Sequence, residues 1–329
     1  MAYFKGQRIK MAEQNTTTTK LPTPKVRKPR SAKSRVPTDV AAISTGLPEQ
    51  MGFWPDEVRG VPNAALRGAL FSVNQERELA KRRQKLATVD GYQIMFKGER
   101  FNQRDLDLWE ELLQIGRQQP YGKAIQFVGS TLLKALGRTT GGEDYDDLKE
   151  DIARLMGGVV EITFSDTKET FIGSLIHNAY REETTQRYAI EFDEKMRKLY
   201  DAGYTHVDWK QRRELKGNSL AQWLHGFYAT HAAPLRYKVA TLRDLCGSTA
   251  GLASGRLTDF RKPLRTALDR LKSVGAITSW TIDPKTDLVT VRRKASLSQQ
   301  RHLDNKMTVE ASKEFSDNGT GTLSGFDSH

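Results

Sequence analysis

The sequence predicts an α+β protein made of two tandem winged helix-turn-helix domains, with disordered N- and C-terminal tails. Three observations support this fold class: an internal repeat, the order of apolar patterns around the repeat, and a basic charge balance. The chain has 329 residues, which is long enough for two domains of roughly 100 residues each and tails. We place the first winged-helix domain at 91–203 and the second at 204–294.

The repeat is clearest in two heptapeptides, TLLKALG at 131–137 and TLRDLCG at 241–247. A short run of alternating apolar residues comes before each one, AIQFVGS in the first case and LRYKVA in the second. Alternation of this kind predicts a brief strand. Because the surroundings repeat together with the heptapeptide, we interpret it as part of a duplicated structural unit.

An amphipathic helix pattern precedes each of these strands. Apolar residues fall at helical spacing in both copies: Leu106, Trp109, Leu112, Leu113 and Gly116 in the first, and Leu220, Trp223, Leu224, Phe227 and Tyr228 in the second. Asn102 is the expected N-cap of the first helix. Ser219 and Gln222 have the spacing of a capping box at the start of the second.

Another helix follows each heptapeptide, within DYDDLKEDIARLMGGVVEITF and DFRKPLRTALDRLKSVGAITSW. The apolar positions are in phase: Leu148, Ile152 and Leu155 correspond to Leu264, Leu268 and Leu271. Pro263 is expected in the first turn, where its missing N–H does no harm. β-Branched residues then predict a hairpin in each copy. This order of elements is that of a winged helix-turn-helix.

The remaining segments have different compositions. Residues 1–45 are predicted to be a disordered basic arm, because KLPTPKVRKPRSAKSR holds seven basic residues, no acidic residue and little apolar content. Residues 46–90 are interpreted as a linker, in which QERELAKRRQKL is a charged helix or connector. DGYQIMFKGERF then predicts a strand pair, with Tyr92, Ile94 and Phe96 on one side. Residues 295–329 are predicted to be a disordered tail.

The linker also carries an aromatic segment with two interpretations. Its apolar side chains either cover a face of the first domain or form a short linear motif for a partner. Gln50, Met51, Phe53 and Trp54 would be the partner-binding residues, since Gln50–Trp54 loosely resembles a pentapeptide by which bacterial proteins bind the sliding clamp.

Charge and residue types favour a DNA-binding protein over an enzyme. The formal net charge is +12, and a basic helix-turn-helix protein is attracted to nucleic acid. The chain has no phosphate-binding loop motif and no histidine spacing of a metal site, so we expect no catalytic residue, metal or cofactor. Cys246 is expected to be a buried small residue, and His225 and His231 to be packing or capping residues. The sequence has no apolar stretch long enough to span a membrane, and its N-terminus lacks the apolar region of a secretion signal. A cytoplasmic protein is therefore expected.

The second domain is predicted to be the main DNA reader. The third helix of the first copy carries six carboxylates (Glu143, Asp144, Asp146, Asp147, Glu150 and Asp151), which would meet phosphates at close range. The corresponding stretch of the second copy is basic, and its wing ends in three cations. The predicted DNA-binding residues are Arg243, Arg256, Arg261, Lys262, Arg265, Arg292, Arg293 and Lys294. For the first domain, the possible roles are self-association, docking of partners, or contacts to the DNA backbone through Lys134 and Arg138.

Three blocks resemble the TrfA family of plasmid replication initiators: residues 47–73, the segment 220–248 with QWLHGFY and LRDLCGS, and the helix RKPLRTALDRL. The resemblance implies a protein that binds repeated sites (iterons) in double-stranded DNA at a plasmid origin and helps to melt it. It also implies recruitment of the host sliding clamp, replicative helicase and host initiator, and a homodimer in equilibrium with a monomer.

Two other functions would use the same features. A transcriptional repressor would bind an operator through the identical surface. A structural protein that binds DNA without specificity would need only the basic arm and the net charge.

Overall fold

The computed structural model describes residues 54–120, 122–301 and 304. The helices are α1 (Asn63–Leu66), α2 (Gln103–Gly116), α3 (Gly129–Ala135), α4 (Gly142–Gly157), α5 (Arg197–Asp201, after a 3₁₀ turn Glu194–Met196), α6 (Trp209–Glu214), α7 (Ser219–Ala229), α8 (Val239–Leu245) and α9 (Thr258–Ser273). The strands are β1 (Val58–Pro62), β2 (Phe71–Ser72), β3 (Leu79–Leu86), β4 (Tyr92–Glu99), β5 (Phe101–Asn102), β6 (Ile125–Val128), β7 (Val159–Phe164), β8 (Thr170–Gly173), β9 (Asn178–Glu182), β10 (Arg187–Glu191), β11 (Tyr204–Asp208), β12 (Tyr237–Lys238), β13 (Ser279–Ile282) and β14 (Leu288–Arg292).

Small sheets connect these elements. The strand orders are β3-β4-β7-β8, β6-β10-β9, β12-β14-β13 and the pairs β1-β11 and β2-β5. The pairing is antiparallel except between β2 and β5, which run parallel. The protein is therefore a mixed α/β fold, as the sequence predicts.

The buried apolar residues form two clusters. The first extends in sequence from Trp54 to Val207, with the fully buried Trp109 of α2 among its largest side chains. The second extends from Leu215 to Val291 and is built around α7 and α9. The helix patterns are confirmed in both copies, since every large apolar residue that defines α2 and α7 is buried. Asn102 is the N-cap of α2 and forms a capping box with Asp105.

The repeat reappears as a repeated order of elements. In each copy a helix, a strand, a short helix, a long helix and a hairpin follow one another: α2-β6-α3-α4-β7-β8 and α7-β12-α8-α9-β13-β14. The glycine that ends each heptapeptide, Gly137 or Gly247, has a positive φ of 62° or 66°. The residue after it donates its backbone N–H to a carbonyl five residues earlier, from Arg138 to Leu133 and from Ser248 to Arg243. Both short helices thus end in the same glycine-dependent C-cap.

The two copies use their strands differently. In the second copy β12 pairs with β14, so the strand before α8 joins the hairpin in one three-stranded sheet. In the first copy β6 pairs instead with β10, and the β7–β8 hairpin is extended by β4 and β3. The first copy is therefore the more elaborate of the two.

The prediction of a charged helix or connector at QERELAKRRQKL is wrong, because residues 79–86 form the edge strand β3. Ala80 and Leu86 are its buried residues, and the cations between them are exposed. On an edge strand a few inward apolar residues suffice, so the alternation is diluted by charge. The next segment forms the long strand β4 and the short β5 rather than a hairpin of its own, although Ile94 and Phe96 point into the core as expected.

Two details of the helix starts also differ from expectation. The N-cap of α7 is Asn218, whose side chain accepts from the Ala221 N–H, so Ser219 and Gln222 form no capping box. Both Asn and Ser are good caps, and the sequence alone does not choose between neighbours. Helix α9 begins at Thr258, which places Pro263 in its second turn rather than its first. Pro263 leaves the Asp259 carbonyl without its helical donor.

The segment interpreted as a linker is folded in its described part. Trp54 has no exposed surface and donates its indole N–H to Gln114 Oε1 at 2.6 Å. Leu66, Leu70 and Phe71 are also buried, so this segment covers the first core. At the other end of that core, β11 pairs with β1, which ties residues 204–208 to the first copy rather than the second. Residues 297–301, expected in a tail, are helical, and Gln299 donates to the Ala229 carbonyl.

A buried arginine links the two cores. Arg212 has no exposed surface, and its Nε lies 2.7 Å from Asp107 Oδ1 and 2.9 Å from Glu110 Oε2, both on α2. Its other nitrogens donate to Gln103 and to the carbonyl of Gln222 on α7. Gln222 itself donates to Asp107. The two copies therefore meet through a buried polar network between α2, α6 and α7.

The shared glycine caps generate a stability prediction. Gly247→Ala should lower the free energy of unfolding by more than about 1–2 kcal/mol, because a left-handed φ disfavours a Cβ and that Cβ would lie 3.0 Å from Ser72 Cβ. Gly137→Ala should lower it by about 1–2 kcal/mol, since its Cβ would meet only Lys216 Nζ at 3.6 Å. Chemical denaturation of the whole chain measures both.

Gly142→Ala is the matched control, because a Cβ at this helical position meets nothing within 4 Å. It should leave stability unchanged or raise it slightly. Equal effects at all three glycines would contradict a role for the left-handed conformation.

Candidate nucleic-acid interface

Helix α9 presents one apolar and one polar face. Its buried residues are Phe260, Leu264, Ala267, Leu268 and Leu271. Thr258, Lys262 and Thr266 succeed one another at four-residue spacing on the opposite, exposed face. Lys262 and Arg265 are exposed and form no ion pair with another residue in the described part of the chain. Their charges are therefore available to a ligand.

Three other predicted DNA contacts already have protein partners. Arg261 Nη2 lies 2.8 Å from Asp287 Oδ1, and both side chains are about one-third exposed or less. Arg243 bonds its neighbour Asp244 at 3.0 Å. Arg256 is the loosest of the three, since it is 73% exposed and 3.9 Å from Asp259.

The three cations at the end of the wing do not act as one group. Arg292 and Lys294 are exposed, but Arg293 donates to the His231 carbonyl at 2.8 Å and to Gln299 at 2.9 Å. Burial lowers the pKa of Arg293. Arg292 pairs with Ser279 at the base of the hairpin, whereas Asp287, next to the turn, contacts the start of α9. The structure therefore separates Arg292 from Lys262 and Arg265.

Sequence reasoning missed a cation that the fold brings close to α9. Lys285 is exposed in the turn Asp283–Asp287, and that turn is bonded to α9 through Arg261. Asp283 organises the turn by accepting from the N–H groups of Lys285 and Thr286. The pattern Asp-Pro-Lys-Thr-Asp predicts a turn with an exposed lysine, but it does not predict that this turn lies against α9.

A second cationic surface was missed on β3. Ala80 pairs with Gly98 and Gln84 with Phe96, so Lys81, Arg82 and Arg83 stand opposite a single residue of β4. This bulge lets three consecutive cations be exposed, where a regular strand would turn the middle one inward. The signal in the sequence is a basic run between two apolar residues that the core needs, Ala80 and Leu86.

The acidic helix α4 holds an internal ion network. Asp151 is buried and accepts from Arg104, Arg138 and Arg154 at 2.8–2.9 Å. Arg104 also binds Asp147 at 2.6 Å. Part of the negative charge on this helix is therefore neutralised within the protein, and Arg138 is occupied there. Lys134 is exposed.

Asp151 has a perturbed carboxyl group. Burial alone would raise its pKa, but Arg138 and Arg104 outweigh that effect, and the pKa is lowered. A lowered folded-state pKa stabilises the fold above the ordinary pKa of the carboxyl and loses that contribution as the pH falls. The network therefore holds α2, α4 and the segment after α3 together at neutral pH.

Other predicted residues fall in varied surroundings. Gln50, Met51 and Phe53 lie outside the described residues, and Trp54 is packed in the core, so a partner would have to displace its indole. Cys246 is buried, and burial raises the pKa of its thiol to about 12. His225 and His231 bond Gln211 and the Phe227 carbonyl respectively.

The described residues hold neither a metal-site cluster nor a membrane-spanning helix. They contain no cluster of three or more His, Cys, Asp or Glu side chains with the geometry of a metal site. Among their helices, none is both long and apolar enough to cross a membrane.

Taken together, the geometry defines a mixed α/β protein whose exposed cationic helix face suits a polyanion. A sequence model of the family described as TrfA protein matches residues 46–293. That match covers more than half of the chain, so the chain belongs to the TrfA protein family.

Comparison with individual proteins gives one sequence relative and two solved structures. The plasmid replication initiator protein TrfA of Escherichia coli is 26% identical over 249 residues, which cover 73% of this chain and 63% of that protein, less than two-thirds of its length. Domains 2 and 3 of RctB superpose with a TM-score of 0.48 at 12% identity, covering 72% of this chain and all of theirs. The Pi initiator protein in complex with iteron DNA gives 0.42 at 12% identity, covering 57% and 93%.

The Asp151 network generates a stability prediction. Asp151→Asn should lower the free energy of unfolding by about 3 kcal/mol at neutral pH, because three arginines lose a buried charged partner. As the pH falls below the ordinary pKa of an aspartate, about 4, the unfolded wild-type chain takes up a proton that the folded one does not, and the difference should shrink. Thermal unfolding of both proteins as a function of pH measures this.

Asp146→Asn is the control on the same helix, since that side chain is exposed and its ion pair within the described residues is with Lys149. It should change stability little at any pH. A constant difference between wild type and Asp151→Asn down to pH 3 would show that the charge of Asp151 is not what stabilises the network.

Proposed function

We propose that this chain is a plasmid replication initiator that binds repeated sites in double-stranded DNA. The observation that carries the proposal is the exposed, unpaired pair Lys262 and Arg265 on the outward face of α9, in a chain of the TrfA family. The E. coli relative is a plasmid replication initiator. Side chains near the start of a recognition helix are those that meet base edges in helix-turn-helix proteins.

The second copy is proposed to be a winged helix-turn-helix and the main DNA reader. Its support is the order α7-β12-α8-α9-β13-β14 and the joining of β12 to the hairpin in one sheet. In this arrangement α8 crosses behind α9, and α9 enters the major groove. Arg265 is proposed to read a base, and Lys262 to contact a base or a phosphate.

The first copy is proposed to be a second winged helix with a different task. Some carboxylates of α4, such as Glu143 and Glu150, pair with no arginine in the described part of the chain, and they disfavour entry of that helix into a groove. Tethering to the reader makes even a weak DNA contact of this copy intramolecular. We assign it to self-association, host-protein docking or backbone contacts.

The wider activities belong to the same proposal. They are melting of the origin, recruitment of host helicase, initiator and clamp, and an equilibrium between dimer and monomer. The basic arm 1–45 lies outside the described residues, and we propose that it adds phosphate contacts that salt weakens.

A plasmid-maintenance experiment tests the function. The gene is supplied in trans to a replicon that carries only the noncoding DNA next to the gene, in a host that cannot otherwise replicate it. Survival of the replicon supports an initiator. Specific binding to that DNA without survival would favour the repressor, and binding without sequence preference the structural protein.

The role of Arg265 generates a prediction about specificity. Arg265→Ala should weaken binding to the natural DNA by about 1–3 kcal/mol and relax the preference at one base pair, if its guanidinium contacts a guanine in bidentate fashion. Competition binding of the whole chain to single-base variants at one salt concentration measures this. The whole chain is used because β11 and Arg212 tie the second copy to the first.

Arg270→Ala is the matched control, because Arg270 is an exposed arginine in the C-terminal half of the same helix. It should alter affinity without changing preference at any base pair. If Arg265→Ala weakens binding equally for every sequence variant, Arg265 is a phosphate contact rather than a base reader.

A further inference from the structure

The wing of the second copy is attached to α9 at two points. Arg261 Nη2 bonds Asp287 Oδ1 at 2.8 Å, and Trp280 Nε1 donates to Asp269 Oδ1 at 3.0 Å. Arg261 and Asp269 are two turns apart on the helix, roughly 12 Å. On the hairpin, Asp287 is four residues from Val291, which pairs with Trp280, roughly 13 Å. The two spacings match, so the hairpin lies along the helix.

Asp287 is a junction as well as an ion-pair partner. Its carbonyl accepts from the N–H of Val239, the first residue of α8, and its own N–H donates to the Asp283 carbonyl across the turn. Its φ is 59°, a left-handed conformation that is uncommon outside glycine but is adopted more often by aspartate and asparagine than by other residues. The residue thus joins the wing turn to both helices of the helix-turn-helix.

The ion pair with Asp287 argues against a direct DNA contact by Arg261. A free arginine near the start of α9 would be a natural phosphate contact, but this guanidinium is held by a carboxylate and is 30% exposed. Lys285, two residues before Asp287, is exposed in the turn that Arg261 holds. The cation that the turn offers to a ligand is therefore Lys285.

We propose that Arg261 and Asp287 form a clamp that positions the wing turn, so that Lys285 contacts the phosphate backbone of the DNA segment met by Lys262 and Arg265. Arg261 is then a positioning residue rather than a DNA contact. The inference rests on the proposed function, because it assumes that α9 binds double-stranded DNA.

The direction in which Asp287→Asn changes the DNA affinity distinguishes the two possible roles of Arg261. Asp287→Asn removes a negative charge near the DNA, and Asn tolerates the left-handed backbone. If Arg261 were a phosphate contact, freeing it should leave affinity unchanged or raise it. If the clamp positions Lys285, the same substitution should weaken binding about fivefold, the scale of one modest ion pair.

The test measures binding of the full-length chain to the noncoding DNA next to its gene, against scrambled DNA at one salt concentration. Lys285→Ala should weaken binding in the wild-type background and have a much smaller effect together with Asp287→Asn, because the lysine is then no longer held in place. Asp259→Asn is the control, since it removes another carboxylate near the start of α9 outside the clamp, and it should bind equally or more tightly.

A second readout needs no DNA. Hydrogen exchange of the backbone amides at 279–292 should be faster in Asp287→Asn than in wild type or Asp259→Asn, because the hairpin loses one of its two side-chain hydrogen bonds to α9. Unchanged exchange would overturn the clamp. Unchanged or tighter binding by Asp287→Asn would overturn it as well.

The two proposals fail differently. If the wild-type chain shows no preference for the natural DNA, the proposed function is wrong, and hydrogen exchange alone then decides whether the clamp exists. If wild type shows the preference and Asp287→Asn retains full affinity, the function stands and Arg261 is a direct contact.

Discussion

Arg212 is the residue on which the arrangement of the two copies depends. A guanidinium without exposed surface is tolerated only when its charge and its donors are satisfied, and here Asp107, Gln103 and the Gln222 carbonyl satisfy them. These partners come from α2 in one copy and α7 in the other. Any rotation between the two cores would leave a buried charge unpaired, so the network fixes how the second copy is presented relative to the first.

Glu110 is an unfavourable part of this arrangement, because its carboxylate is buried without a hydrogen bond in the described part of the chain. It lies 2.9 Å from Arg212 Nε, but the single hydrogen of that nitrogen points to Asp107, and the Glu110 oxygens accept no hydrogen bond from a described residue. The pKa of Glu110 is raised to about 8, chiefly by burial; Asp107 and Glu111 add to the rise, and Arg212 and Arg59 oppose it. A carboxyl with a raised pKa favours the fold at low pH and disfavours it as the pH rises through the folded-state value. Other contacts at the seam, such as Trp223 to the Gly68 carbonyl and Arg67 to Thr230, add to the same interface.

Charge is divided between internal and external uses. The net charge of +12 suggests a uniformly cationic surface, yet Arg104, Arg138 and Arg154 hold the carboxylates of α4, and Arg261 and Arg293 hold parts of the second copy together. The exposed cations include those on the face of α9, in the wing turn and on β3. Arginine suits the internal sites because its several donors satisfy more than one acceptor at a time.

The sequence by itself determined the duplicated order of elements and the residues that face each core. Helical spacing of large apolar residues in α2, α4, α7 and α9, and the glycine that ends each short helix, are local patterns that packing did not override. Only the tertiary structure decided which strands pair, because β3 carries few apolar residues and its place at a sheet edge is set by β4. The tertiary structure also decided which cations are held by a carboxylate of the protein and which are available to a ligand. Arg261 directly precedes Lys262 in the sequence whether it binds DNA or Asp287. The difference lies in a residue that the fold, not the sequence distance, brings to 2.8 Å.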